Sequence, residues 1–91
     1  MSIKYKVVVT EQAKQDLCSL ENVIVGRITK KLRYFESVVN PLSYAEPLKT
    51  PFQGQYRFRV GEYRIFFKVE PSGIITILLI LNIKHRKDCY R

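Results

Sequence analysis

From Tyr56 to Val69 the chain advances in steps of two, and this pattern constrains the fold more than any other feature of the sequence. Tyr56, Phe58 and Val60 alternate with Arg57 and Arg59, and after Gly61-Glu62 the alternation resumes as Tyr63, Ile65, Phe67 and Val69 against Arg64, Phe66 and Lys68. Successive side chains of a strand point to opposite faces, so a period of two with one apolar set predicts a hairpin with one buried face. Gly61-Glu62 supplies the turn, because glycine reaches positive φ without a steric penalty. Pro71-Ser72-Gly73 marks a second turn. Ile74 to Leu81, apolar except for Thr76, reads as a strand covered on both faces. With 91 residues in all, the chain can build one hydrophobic core and not two, so residues 1–91 are read as a single domain.

The segment ahead of this meander changes period. Ile3 to Val9 is rich in β-branched residues and suits a strand. Thr10 is placed to cap a helix, with Glu11 in the first turn where the helix dipole favours an anion. Ala13, Leu17 and Leu20 then fall at helical spacing, predicting a short helix from Glu11 to about Leu20, with a break at Glu21-Asn22. Val25, Ile28, Leu32, Phe35 and Val39 form the apolar stripe of a second, longer helix. Its other faces carry Arg27, Lys30, Lys31 and Arg33, which suits an ordinary solvated face as well as an anion-binding one. Pro41, Pro47 and Pro51 forbid a long helix through residues 41–52, leaving a connecting loop whose Leu48 is expected to tuck under the sheet. A strand, a helical hairpin and a three-stranded meander make an α+β domain.

Charge narrows the partners. The chain carries +8, and residues 51–91 hold eight basic against three acidic side chains. A field of this sign concentrates RNA, DNA, an acidic protein segment or an anionic membrane, and charge alone does not rank them. Cys18 and Cys89 lack paired metal-ligand spacing, and the lone His85 does not complete a zinc site with them, so no metal or other cofactor is expected. The longest apolar run is about half of a bilayer span, and no cleavable leader pattern opens the sequence. The expectation is a cytoplasmic protein without a membrane partner.

Two basic clusters can carry chemistry. Arg57 and Arg59 share one strand face by the period of two, and Arg64 joins them if the hairpin register allows. Adjacent guanidiniums bind phosphate in a bidentate fork and can hold charge that grows in a transition state. Alternation alone fits a solvated strand face equally well. After the last strand comes Asn82-Ile83-Lys84-His85-Arg86-Lys87-Asp88-Cys89-Tyr90-Arg91, with the chain's single histidine. An ordinary histidine titrates near pH 6.5 and can act as acid or base, whereas a tyrosine needs cationic neighbours to ionise near neutrality. Lys84, Arg86 and Lys87 can supply them, although a charged tail is commonly only solvated.

Taken together, these segments resemble a known family. Pro47-Leu48-Lys49 followed by Gly54 to Phe67 looks like the RelE/ParE toxin pattern, in which a leucine-bearing loop leads to Tyr-Arg-x-Arg-x-Gly-x-Tyr-Arg and a hydrophobic residue. His85-Arg86-Lys87-Asp88-Cys89-Tyr90 is similar to the family's closing His-Arg-x-Asp-x-Tyr. The resemblance implies two N-terminal helices packed on a four-stranded antiparallel sheet. It implies the toxin of a type II toxin–antitoxin system, restrained by a cognate antitoxin with an acidic segment. In the RelE branch such a toxin enters the ribosomal A site and cuts messenger RNA without a cofactor. Carried over by position, Arg57, Arg59, Arg86 and Lys87 hold RNA, Arg64 stabilises the phosphate, and Tyr90 acts as base. Lys84 stands where RelE has an arginine, and the general acid is open among Lys84, His85 and Arg86. The ParE branch shares the fold but inhibits DNA gyrase without cutting RNA, so the fold leaves both activities in play.

Overall fold

The computed structural model describes residues 4–49 and 51–90, with the side chains of Cys89 and Tyr90 outside the description. The elements run β1 (Lys4–Val9), α1 (Glu11–Cys18), α2 (Asn22–Ser37), a 3-10 turn (Pro41–Tyr44), β2 (Glu46–Pro47), β3 (Gln55–Val60), β4 (Tyr63–Ser72), β5 (Ile75–His85) and a closing 3-10 turn (Arg86–Tyr90). The strands form one sheet in the order β1-β5-β4-β3-β2. Two N-terminal helices on a sheet are the architecture expected from the sequence. The sheet itself is five-stranded and mixed where four antiparallel strands were expected, because β1 lies parallel to β5. Short connections make β2, β3, β4 and β5 antiparallel neighbours. β1 reaches the rest of the sheet through two helices, so no tight turn dictates its direction. The extra strand β2 is only two residues, one of them Pro47, too short for any period to register.

The helices sit where capping and periodicity put them. Thr10 is extended (φ −69°, ψ 164°) and its Oγ1 accepts the Ala13 amide at 3.3 Å, closing the first turn of α1. On α2, Ile28, Leu32 and Phe35 are buried. Phe35 is the hub of the core, with ring centroids 4.4 Å from Phe58 and 6.5 Å from Phe67. Val39, the last member of the expected stripe, is instead 86% exposed. The helix ends at Ser37, and Pro41 opens the next turn, which disfavours helical backbone at Asn40 and lets the chain peel away before Val39 can face the core. No helix among the described residues is long and apolar enough to cross a membrane.

A bulge in β5 sets the geometry of the C-terminal end. Phe66 pairs with Asn82 but Phe67 pairs with Ile80, so Leu81 is one residue too many for the ladder. Ile80 and Ile83, an odd three residues apart, are therefore both buried. Helix α1 holds this irregular backbone. The Thr10 hydroxyl lies 2.7 Å from the Ile80 carbonyl and 3.1 Å from that of Leu81, and its amide donates to Ile80 at 3.1 Å. Asp16 Oδ2 accepts the Ile83 amide at 2.9 Å, while Gln12 steadies the other carboxylate oxygen. The turns at Gly61 and Gly73 use positive φ, 58° and 64°, as the sequence requires.

Candidate functional site

The hairpin register decides where Arg64 goes. Arg59 on β3 is opposite Arg64 on β4, and Arg64 is opposite Lys84 on β5. Residues paired across antiparallel strands project from the same face, so three cations form one row across three strands. Arg57 stands two residues along β3 and shares that face. The other face, bearing Phe58, Ile65, Phe67 and Ile83, packs into the core with α2. Within the row the burial is uneven. Arg64 is 8% exposed, the sole buried charged residue among those described. Burying a guanidinium is costly unless partners or a function hold it there. Burial at the middle of the row restricts the motion of its planar fork.

Arg57 is held differently. Its Nε and Nη2 donate to Oε2 of Glu46 at 3.2 and 3.0 Å, across the register pair that joins β2 to β3. Both side chains are exposed, so water screens the pair and a phosphate can displace the carboxylate at small cost.

The segment read as a tail is in part a strand. Asn82 to His85 complete β5, which places Lys84 in the arginine row. His85, one residue on, is opposite Tyr63, and the two rings meet edge to face at 5.2 Å. Alternation therefore turns His85 away from Lys84 and toward the face of Tyr63 and Val60. His85 Nδ1 accepts the Lys87 amide at 3.2 Å, which leaves the proton of a neutral ring on Nε2. Arg86 folds back on the β3–β4 turn: its amide donates to the Glu62 carbonyl at 2.7 Å and its Nε to Glu62 Oε2 at 3.0 Å. Lys87 is exposed. The backbone of Tyr90 ends the last 3-10 turn, and its side chain lies outside the described residues. The fold thus gathers Arg57, Arg59, Arg64 and Lys84, and sets His85 and Arg86 beside the turn at Glu62.

Sequence reading missed the acids and the second wall. A cavity of about 370 Å³ is lined by Arg57, Arg59 and Arg64 together with Glu46, Lys31 and Tyr44. Lys31 comes from α2 and Tyr44 from the 3-10 turn, neither of which carries a strand period. The signal available for Lys31 was its place on the cationic side of α2, but a solvated helix face looks the same in sequence. Tyr44 stands edge to face with Tyr34 at 5.7 Å, their hydroxyls 3.5 Å apart. That hydrogen bond, and then the charge that would develop beside it, hold the Tyr34 phenol above its ordinary range, so it stays neutral.

A mixed sheet carrying a cationic row on one face and two helices on the other makes a small basic α+β domain. The chain belongs to the family described as the ParE toxin of type II toxin–antitoxin systems, which matches residues 7–90. It is a type II toxin of the RelE/ParE superfamily. Toxin RelG of Mycobacterium tuberculosis is 29% identical to it over 87 residues, which cover 96% of this chain and 97% of that protein. Among solved structures, the toxin–antitoxin complex RelBE2 of Mycobacterium tuberculosis matches with a TM-score of 0.77 at 24% identity, over 94% of this chain and 95% of that one. The YoeB/ParE toxin of Agrobacterium tumefaciens matches at 0.68 and 21%, over 88% and 97% of the two chains. The RelB–RelE complex of Methanococcus jannaschii matches at 0.64 and 21%, over 91% and 94%. At these identities the structural likeness is one of fold.

Proposed function

We propose that this toxin is a ribosome-dependent endoribonuclease that cuts messenger RNA in the A site and so inhibits translation in the cytoplasm. The observation that carries the proposal is the near-buried Arg64 between Arg59 and Lys84 in one cross-strand row. A substrate phosphate laid on that row meets guanidinium forks on two strands and an ammonium on the third. In the cleavage step the ribose 2′-oxygen attacks the adjacent phosphorus and gives its proton to a base. The bond from phosphorus to the 5′-oxygen breaks, the leaving oxygen takes a proton from an acid, and a 2′,3′-cyclic phosphate and a 5′-hydroxyl result. Negative charge grows on the non-bridging oxygens as the 2′-oxygen bonds, which is where Arg64 stabilises the transition state. Arg57, Arg59 and Lys87 hold the backbone on either side. For the base we assign Tyr90. For the acid, Lys84 has the position in the row, while His85 has the chemistry only as an imidazolium, which requires Nδ1 to give up the Lys87 amide and take a second proton.

The relatives support a partner as well. Solved neighbours of this fold include complexes of toxin with antitoxin, and the net charge of +8 favours an inhibitor with an acidic segment that folds over the cationic face. A second reading has one specific support: the matching family bears the ParE description, and a ParE-like chain acts on DNA gyrase without RNA chemistry. Adding purified protein to a translation reaction and to a gyrase supercoiling reaction separates the two. Loss of translation with new RNA ends bearing 5′-hydroxyls is the expected result. Intact message with loss of supercoiling overturns the proposal.

A further inference from the structure

Beside the arginine row runs a second groove whose chemistry the row does not use. β2 pairs only with Tyr56 and Arg57, so the outer edge of β3 from Phe58 to Val60 carries no strand partner among the described residues. Helix α2 faces that edge across an open groove of about 500 Å³, lined by Arg27, Lys30, Lys31, Tyr34, Tyr44 and Arg59 beside Val60. Residues 27, 30, 31 and 34 are spaced as one helical stripe. None of the lining residues is acidic, and among the described residues no carboxylate forms an ion pair with Arg27, Lys30, Lys31 or Arg59.

Two exposed aromatic rings sit among these cations. Tyr34 is 44% and Tyr44 51% exposed, whereas Phe35, one residue from Tyr34, is fully buried. Lys31 Nζ stands over the Tyr34 ring, 5.4 Å from its centroid, so one face of that ring already meets a cation. Lys31, Tyr44 and Arg59 line both this groove and the cavity over Arg64, which makes the two continuous. Rings flanked by cations suit single-stranded nucleic acid, whose bases stack on any aromatic face while its phosphates follow the positive charge. An acidic peptide would use the cations but gains little from polar phenol rings, and a duplex keeps its bases out of reach.

We propose that the groove between α2 and β3 is a single-stranded RNA subsite, in which the mutually inclined rings of Tyr34 and Tyr44 meet an unpaired base, one by its face and the other by its edge, and Arg27, Lys30 and Lys31 hold the neighbouring phosphates, leading the strand to Arg64. This rests on the reading of the toxin as an RNA-cutting protein and adds how the strand is held. The subsite is tested with the full chain and a fluorescent 2′-O-methyl octanucleotide, which lacks the attacking hydroxyl and is not cut. Anisotropy at low salt should show Tyr34→Ala and Tyr44→Ala each binding about tenfold more weakly, with Tyr34→Phe near wild type. An abasic strand of equal length should bind wild type about tenfold more weakly than the octanucleotide and ignore the tyrosine changes. Equal binding of the abasic and base-bearing strands by wild type overturns the subsite without recourse to any variant. So does an octanucleotide affinity that Tyr34→Ala and Tyr44→Ala leave unchanged, or a polyglutamate peptide that depends on the tyrosines when RNA does not. Because this binding needs neither ribosome nor cleavage, a chain that holds the octanucleotide through its tyrosines yet cuts no message keeps the subsite and loses the cleavage reading.

Discussion

Arg64 and Glu46 show how two residues on one sheet can shape the same cationic field in opposite ways. Arg64 is nearly buried in the cross-strand row, and its guanidinium is a rigid fork, where lysine offers a point charge on a flexible stem. We therefore expect Arg64→Ala and Arg64→Lys both to lower RNA cleavage by about two to three decades, with lysine rescuing little. Circular dichroism and a thermal melt of each variant check that the loss is chemical and not an unfolded chain. Cleavage restored by lysine would mean that charge alone suffices there. Glu46 partly neutralises Arg57 through an exposed ion pair. Replacing it as Glu46→Gln should change stability by less than about 1 kcal/mol while tightening oligoribonucleotide binding at low salt, because Arg57 loses its competing anion. A weaker binder would show that Glu46 positions Arg57 instead of competing for it. The arginines were legible in sequence because a period of two assigns a face. Glu46 and Glu62 were not, since an acid's partner depends on register and turn geometry, which period does not encode.

At the level of elements, the β5 bulge and its ties to α1 govern where the cationic row ends. Thr10 caps α1 and contacts the carbonyls of Ile80 and Leu81, while Asp16 takes the Ile83 amide. Thr10→Val keeps the shape and removes the hydroxyl, leaving a cap and a bulge unsatisfied, and should cost about 1–2 kcal/mol in urea unfolding. An unchanged midpoint would show that water replaces Thr10 without loss. Ile28→Asp should unfold the protein outright, because Ile28 is fully buried in the stripe of α2. A melt as cooperative as that of wild type would contradict the core described above. The stripe itself, the Gly61 turn and the meander are legible in the amino-acid sequence, since each has a local period or a local backbone demand. The bulge is not. Ile74 to Leu81 is apolar at nearly every position, so an extra residue there disturbs no alternation. The same uniformity conceals that the strand continues to His85 and splits Lys84 from His85 between two faces.

For the molecule as a whole, the excess of positive charge and the toxin family predict competition. On the proposed function RNA and antitoxin would share the Arg57, Arg59 and Arg64 face, and opposite charge would speed the encounter with an acidic partner. Raising salt from low to physiological strength should therefore slow antitoxin association while altering dissociation less, and an Arg57→Glu, Arg59→Glu variant should lose most of that salt dependence. Unchanged association in the variant would move the antitoxin to another surface. The central claim, that the row around Arg64 cuts RNA on the ribosome, is met most directly by sequencing RNA ends after brief expression of wild type and of Arg64→Ala. Wild type should produce new 5′-hydroxyl ends within codons at ribosomal A sites, and Arg64→Ala should leave them near background. Growth arrest by wild type with no new RNA ends, together with loss of gyrase supercoiling, would contradict the account.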